Sequence, residues 1–167
     1  TRPDHRPGMT TPSPADDATR ITISVDAMGG DLGPSAVIDG LAIAADKAPA
    51  VFFVLSGRED ELRKLIDAHP DLADRCSIRA ADEVVTMDAK PSHVMRNGKA
   101  TSMWSAVEAV RDGDAQAVVS CGNTGALMAT SRFVLKTVAG IDRPAIAVVG
   151  HGGVGTLLWC HLAGRAI

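Results

Sequence analysis

Short hydrophobic runs and stretches with apolar residues at helical spacing alternate along the chain. The β-branched and apolar runs predict strands at residues 21–25, 51–55, around Ile78, at 117–120 and at 144–149. Between them, apolar positions three or four residues apart predict helices over 34–47, 59–69, 103–112 and 127–138. Gly113 and Gly140 are expected to end the last two helices. This alternation predicts an α/β fold with a mostly parallel sheet.

Two segments fall outside the alternation. Residues 1–20 hold four of the nine prolines and almost no large apolar side chain, which predicts a disordered tail. Residues 82–102 show weak periodicity and contain Pro91, Asn97 and Gly98, which predicts a long loop with one helical turn. Because loops of this length are often functional, the second segment is a candidate part of a site.

Composition narrows the classes of function. On length alone the 167 residues fit one domain, and 17 basic against 20 acidic residues give no electrostatic footprint for nucleic acid. Three Phe, two Trp and no Tyr also argue against a stacking platform for single-stranded nucleic acid. The three cysteines and five histidines show no metal-ligand spacing. We therefore expect no metal site, no disulfide framework and a reducing, cytoplasmic compartment.

A glycine-rich loop follows the first predicted strand. Its sequence, DAMGGD over 26–31, places two carboxylates around a Gly-Gly pair just before a helix. Glycines allow backbone amides to approach an anion closely, and the helix N-terminus adds positive potential, so the loop is a candidate phosphate cradle. The alternative is a tight strand-to-helix turn capped by Asp. The loop does not match GxGxxG, so a dinucleotide site is unsupported.

A second loop of small residues, SCGNTGA over 120–126, follows a later strand. Asn123 and Thr124 are candidate hydrogen-bond donors to an oxyanion, or Thr124 is simply the N-cap of the next helix. Cys121 is either a thiolate nucleophile at a helix N-terminus or a small buried packing residue, and packing is favoured. In a parallel sheet, ligands bind outside the carboxyl ends of the strands, where both loops lie.

Three cations, Lys90, Arg96 and Lys99, fall in the irregular segment 82–102. They either hold phosphate or an acidic partner protein, or belong to a solvated loop. A later glycine-rich run, GHGGVG over 150–155, lacks the Lys-Ser/Thr of a P-loop and is not taken as a nucleotide site.

Five segments occur in one order along the chain: DAMGGDLGP, ADEVV, RNGKATSM, GNTGALMA and GIDRP. Together they resemble the bacterial phosphate acyltransferases of phospholipid synthesis, the PlsX family, over residues 21–147. One such segment is weak evidence, whereas five in the family's order and spacing are specific. The resemblance implies a three-layer α/β/α, Rossmann-like fold similar to those of isopropylmalate dehydrogenases and phosphotransacetylases.

The resemblance also implies a reaction. Inorganic phosphate attacks the thioester of a long-chain acyl-acyl-carrier protein, and the products are acyl phosphate and free carrier protein. The acyl phosphate then supplies a glycerol-3-phosphate acyltransferase. The family is expected to work as a homodimer, peripherally associated with the cytoplasmic face of the membrane, without a metal or nucleotide cofactor.

Because phosphate is already a nucleophile, such an enzyme has to position it, neutralise its charge and stabilise the tetrahedral oxyanion. On this hypothesis Lys99, Asn123 and Asp26 are the catalytic residues. Asp26 or Asp31 orients a phosphate hydroxyl or caps the first loop. The phosphate- and substrate-binding residues are Gly29, Gly30, Asp31, Arg96, Ser102 and Thr124.

The chain departs from the family in places. Gly98 replaces a cation that many members carry, and Cys121 stands where a small Ala is common. Residues 148–167 match nothing expected of the family, which indicates a frameshift, a truncation or an unusual C-terminus. The resemblance implies that a complete member is about twice this long, with its dimer surface and membrane-binding helices mainly in the second half. A chain without that half is expected to have an unpaired sheet edge. Two alternatives therefore stay open: an inactive remnant that at most binds carrier protein or phosphate, and a phosphotransacetylase-like enzyme acting on coenzyme A thioesters.

Overall fold

A computed structural model describes residues 20–137, Ala139 and the backbones of 147–150 and 156–159. Strands and helices alternate through the first of these ranges, as the hydrophobic pattern predicts. The predicted tail apart from Arg20, the helix end at Gly140 and the GHGGVG run apart from the backbone of Gly150 lie outside the described residues. The elements are β1 (Ile21–Asp26), α1 (Gly33–Lys47), β2 (Val51–Gly57), α2 (Glu59–Asp67), α3 (Pro70–Ala73), β3 (Cys76–Ala80), α4 (Pro91–Asn97), a 3-10 turn (Gly98–Ala100), α5 (Ser102–Asp112), β4 (Ala117–Ser120), α6 (Thr124–Leu135), β5 (Ala147–Gly150) and β6 (Thr156–Trp159).

The first four strands form one parallel sheet in the order β3-β2-β1-β4. The sheet order places β4 beside β1, although α1, β2 and β3 lie between them in sequence. This arrangement confirms the predicted α/β class with a parallel sheet. No helix in the described part of the chain is long and apolar enough to cross a lipid bilayer.

The two faces of the sheet differ in chemistry. On one face, Val25, Phe53 and Leu55 are buried in a core that includes Ile38 of α1 and Leu62 of α2. Neighbouring strand residues point to opposite faces, so Ser56 and Asp26 lie on the other side. That side is covered by α5, whose contacts with β1 and β2 complete three layers of helix, sheet and helix. The predicted three-layer architecture is therefore confirmed.

Two helix predictions need correction. The helix predicted to end at His69 ends at Asp67, because Pro70 follows His69 and a residue before proline disfavours the helical conformation. The last helix ends at Leu135, short of the predicted Val138, and Lys136 has a φ of +69°. In contrast, Gly113 ends α5 in a left-handed conformation with a φ of +88°, as predicted.

The segment 82–102 is more regular than one helical turn. It contains the seven-residue helix α4, which begins at Pro91 and buries Val94, followed by the 3-10 turn. A bridge between Glu83 and Thr101 closes the segment at its base. The prediction of little structure here was wrong because α4 buries one large apolar side chain, which leaves almost no helical periodicity to detect.

The strand predicted at 144–149 is present as β5 over Ala147–Gly150. It pairs antiparallel with β6 in a separate two-stranded sheet. The sequence pattern identified a strand but not its partner, because a short apolar run carries no information about pairing direction.

Candidate functional site

Polar side chains from three strands meet at the carboxyl edge of the parallel sheet. In the register of the sheet, Asp26 of β1 lies between Ser56 of β2 and Ser120 of β4. Paired residues of parallel strands point to the same face, so all three side chains face α5. The strand ends therefore place a carboxylate and two hydroxyls in one row under the start of that helix.

Asp26 is the centre of this row. The Ser102 hydroxyl, at the first residue of α5, donates to Asp26 Oδ1 at 2.6 Å, and the Ser120 hydroxyl donates to Oδ2 at 2.7 Å. Asp26 is 2% exposed and Ser102 is fully buried. Both carboxylate oxygens thus have hydroxyl donors, which a buried charge requires. Through these two hydrogen bonds, Asp26 joins the end of β1 to Ser102 of α5 and to Ser120 of β4.

The loop after β1 and the loop after β4 touch through glycines. A Cβ on Gly29 would lie 2.6 Å from Asp26 Oδ2 and 3.0 Å from the Gly122 nitrogen. A Cβ on Gly122 would lie 3.4 Å from Gly29 Cα. Because no side chain fits between them, the backbones of the two loops are in direct contact at this point.

The contact continues one residue further along each loop. Gly30 has a φ of +101°, and a Cβ there would lie 3.1 Å from Cys121 Cβ. Cys121 itself is exposed, so its prediction as a buried packing residue was wrong. Its Cβ packs against Gly30, while the residue as a whole remains open to solvent at the rim of the two loops. Asp31, next to Gly30, is exposed as well.

Asn123 is the N-cap of α6. Its Oδ1 accepts a hydrogen bond of 2.9 Å from the Ala126 amide, whereas Thr124 is the first residue inside the helix. The alternative in which Thr124 is the N-cap was therefore wrong by one position. Asn123 Nδ2 also donates to the carbonyls of Met87 at 2.8 Å and Ala89 at 3.0 Å. One side chain thus fixes the helix start and the loop before α4.

The start of α4 lies beside the start of α6. A Cβ on Gly125 would lie 3.3 Å from Pro91 Cγ, which shows how closely the two helix ends approach. In the loop before α4, the Thr86 hydroxyl and the backbone hold the pKa of Asp88 below its usual value. The first amides of α6, at Thr124 and Gly125, have no acceptor within the helix and so carry its positive potential.

The predicted cations lie on the surface of the neighbouring segment. Lys90, Arg96 and Lys99 are all exposed. The Arg96 Nε donates to the Ser92 carbonyl at 3.1 Å, within its own helix. Lys99 lies on the 3-10 turn, three residues before Ser102, and the Thr101 side chain between them caps α5. A short, ordered stretch of chain therefore connects Lys99 to Ser102, whose hydroxyl donates to Asp26.

Sequence reasoning singled out the two loops but gave Ser120 no role of its own. A signal for it exists, since Asp26 and Ser120 are each the last residue of a strand before a glycine loop. The pairing of β1 with β4 was needed to bring these two residues together. Among the described residues, no group of three His, Cys, Asp or Glu side chains is arranged to hold a metal ion.

The chain is similar to proteins named phosphate acyltransferase. It is 61% identical over 125 residues to one from Jannaschia sp. (strain CCS1), which covers 75% of this chain and 34% of that relative. It is 60% identical over 130 residues to one from Roseobacter denitrificans, covering 78% and 36% of the two chains. A third, from Ruegeria sp. (strain TM1040), is 56% identical over 142 residues, or 85% and 38%.

The chain thus spans about a third of the length of these curated relatives. A family profile described as "Fatty acid synthesis protein" matches residues 21–154, a range that begins with β1 and contains both glycine loops. With that match extending over most of its length, the chain belongs to the fatty acid synthesis protein family.

Proposed function

We propose that the protein is a phosphate acyltransferase that makes acyl phosphate from a long-chain acyl-acyl-carrier protein and inorganic phosphate. The observation that carries the proposal is the direct contact of two glycine loops, at Gly29 and Gly122, where the carboxyl ends of β1 and β4 meet. This is the edge of an α/β sheet at which ligands bind. The relatives' name, phosphate acyltransferase, supports the same chemistry.

The reaction needs no nucleophile from the protein. A phosphate oxygen attacks the thioester carbonyl, the C–O bond forms, and a tetrahedral oxyanion results. The C–S bond then breaks, and the proton of hydrogen phosphate passes to the leaving thiolate, which gives the free carrier-protein thiol. The protein contributes by positioning the two substrates and by stabilising the charge that develops on oxygen.

Under this proposal some residues contact phosphate and others only hold those residues in place. The surface for the phosphate anion consists of the Gly29 and Gly30 backbones, the first amides of α6 and the Thr124 hydroxyl. Lys99 and Arg96 supply positive charge, and Asp31 orients a phosphate hydroxyl. Asp26, Ser102 and Asn123 act on catalysis by holding these groups in place, since their polar atoms already have partners.

The direct test is release of free carrier protein by the 167-residue chain. Palmitoyl-acyl-carrier protein is incubated with the protein, and the released thiol is measured with and without inorganic phosphate. We expect phosphate-dependent thiol release, with acyl phosphate trapped as a hydroxamate in equal amount. Thiol release that does not depend on phosphate would contradict the proposal.

A charge variant sharpens the test. Lys99→Ala is expected to lower the phosphate-dependent rate by about tenfold, because one cation near the developing charge is lost. Lys47→Ala removes another exposed lysine, at the end of α1, and serves as the matched control. Equal rates for the two variants would remove Lys99 from the site.

Two other functions are distinguished by the same assay. A phosphotransacetylase-like enzyme would release coenzyme A from palmitoyl-coenzyme A in preference to carrier protein. An inactive remnant would release neither thiol, and binding of carrier protein or phosphate would be all that remained. We favour the acyltransferase because two loop backbones in contact indicate an assembled site rather than a surface left without function.

We also propose a setting for the reaction. The protein would act as a homodimer, peripherally associated with the cytoplasmic face of the membrane, and pass acyl phosphate to a glycerol-3-phosphate acyltransferase. Support comes from the chemistry, because a long-chain acyl phosphate is an amphiphile that favours a lipid surface. Sedimentation with phosphatidylglycerol vesicles tests the membrane contact, and light scattering tests the dimer. A monomer that stays in the supernatant would contradict both.

A further inference from the structure

Ser120 uses its hydroxyl twice. It donates to Asp26 Oδ2 at 2.7 Å and accepts a hydrogen bond of 3.0 Å from the Gly122 amide. The first bond joins the end of β4 to the end of β1. The second bond folds the chain after β4 back toward its own strand, as a hydroxyl two residues before an amide does in a turn.

The turn at Ser120 determines where the second loop lies. A Cβ on Gly122 would lie 3.2 Å from the Ser120 hydroxyl and 3.4 Å from Gly29 Cα, so the turn and the glycine contact form one packed unit. Asn123 and Thr124 follow directly and begin α6. The position of the helix start relative to Gly29 and Gly30 therefore depends on the two bonds made by one hydroxyl.

The start of α5 adds a third connection. Ser102 donates to the other oxygen of Asp26, and Met103 Cε lies within van der Waals reach of Gly122, at 3.2 Å from a Cβ built there. Asp26 thus accepts one hydroxyl from each of two separate elements. Each of these two hydrogen bonds restricts the Asp26 carboxylate. If either hydroxyl is lost, the carboxylate is free to rotate, and its bond to the remaining serine is weakened as well.

We propose that Ser120 is a positioning residue that holds the start of α6 against the Gly29-Gly30 loop, and that phosphate binding depends on its hydroxyl. The inference rests on the proposed function, because it deepens the account of the same anion site. Ser120 is not a catalytic residue, since its hydroxyl is committed to Asp26 and Gly122. Its effect reaches phosphate only through the placement of backbone amides.

The test compares three substitutions in the full 167-residue chain. Ser120→Ala removes both hydrogen bonds, and Ser120→Thr retains the hydroxyl on a side chain that suits a strand end. Ser105→Ala is the matched control, because Ser105 is a buried serine of α5 that shares a hydroxyl–hydroxyl hydrogen bond of 3.2 Å with Ser56 and none with Asp26. Urea denaturation of each variant confirms that it is folded before binding is measured.

Inorganic phosphate is the probe, and its dissociation constant is measured from shifts of the Gly30, Thr124 and Gly125 amide resonances. We expect Ser120→Ala to weaken phosphate binding about fivefold or more, Ser120→Thr to restore it, and Ser105→Ala to leave it unchanged. In the acyl-transfer assay, Ser120→Ala should raise the KM for phosphate more than it lowers kcat. A merely structural role would not give this division or its rescue by threonine.

The outcomes separate the inference from the proposed function. Equal phosphate affinity in wild type and Ser120→Ala would overturn the inference, as would loss of affinity in Ser105→Ala to the same degree. Absence of phosphate-dependent shifts in the wild-type amides would overturn it too. If phosphate binds and the Ser120 series behaves as expected, but no acyl transfer occurs, the inference holds and the acyltransferase proposal fails.

Discussion

The Ser102 hydroxyl donates to Asp26 Oδ1 across 2.6 Å, although 76 positions separate the two residues in the chain. Both are buried, so the bond forms away from competing water. It joins the end of the first strand to the start of α5, which also follows the turn that carries Lys99. The same carboxylate reaches Ser120, so one buried charge fixes the relative positions of three segments.

Asn123→Ala should destabilise the fold by about 2 kcal/mol. The substitution removes the N-cap of α6, a loss of about 1 kcal/mol, and the amide donors to Met87 and Ala89. The free energy of unfolding in urea measures this change. Asn123→Ser retains a cap acceptor and loses the donors to Met87 and Ala89, so its stability should lie between those of wild type and alanine.

Thr124→Ala is the control for that series. Thr124 is inside the helix and is not the cap, so its replacement should change stability by about 0.5 kcal/mol or less. A loss at Thr124 equal to that at Asn123 would show that the cap had been assigned to the wrong residue.

The sequence allowed most of the fold to be predicted, because β1, β2, β4 and α1 each combine strong hydrophobic patterning with a clear turn after them. The position of both glycine loops at one edge of the sheet also followed, since parallel strands share their carboxyl end. Neither inference required knowledge of which strands are neighbours.

The side-chain contacts of the site could not be predicted without knowing which strands are neighbours. Ser120 became a partner of Asp26 only through the pairing of β4 with β1, which is a non-local relationship that no local pattern encodes. The amide of Asn123 likewise reaches the carbonyls of Met87 and Ala89, in a segment that was predicted as a loop. Because every residue has a backbone carbonyl, the residue type does not show which carbonyl accepts a hydrogen bond.

Gly29→Ala should destabilise the protein by about 2 kcal/mol or more, because the added Cβ would lie 2.6 Å from Asp26 Oδ2. Thermal unfolding measures the loss. Gly40→Ala provides a control of opposite sign. Gly40 lies inside α1 with open space around it, so alanine there should stabilise the helix by about 0.5–1 kcal/mol. Destabilisation at both positions would argue against a specific contact at Gly29.

Cys121 should react with iodoacetamide at least about tenfold faster than Cys76 at pH 8. Burial raises the pKa of the Cys76 thiol to about 11, an effect that the nearby Arg75 charge offsets only in part, whereas Cys121 is exposed. A Cys160→Ser background leaves these two thiols, and peptide mass spectrometry follows each. The Cys76 rate should rise as the pH approaches 11, and equal rates at pH 8 would contradict the described burial.

Asp112→Asn should lower the free energy of unfolding at neutral pH and make that free energy less dependent on pH in the acid range. Hydrogen bonds from Arg79 and Arg111 hold the pKa of Asp112 below its usual value. The ionised carboxylate therefore stabilises the folded state fully above the unfolded pKa, about 4, and this contribution is lost as pH falls through the lower folded pKa.

The expected loss for Asp112→Asn at pH 7 is about 0.5 kcal/mol, because the pair between Asp112 and Arg79 is partly exposed and is screened by salt. Urea midpoints between pH 2 and pH 7 should converge for wild type and variant as acid protonates the carboxylate. Asp46→Asn removes an exposed carboxylate near the end of α1 and is the matched control. A constant difference between wild type and Asp112→Asn down to pH 2 would contradict the assignment, since it would arise from the side chain's shape rather than its charge.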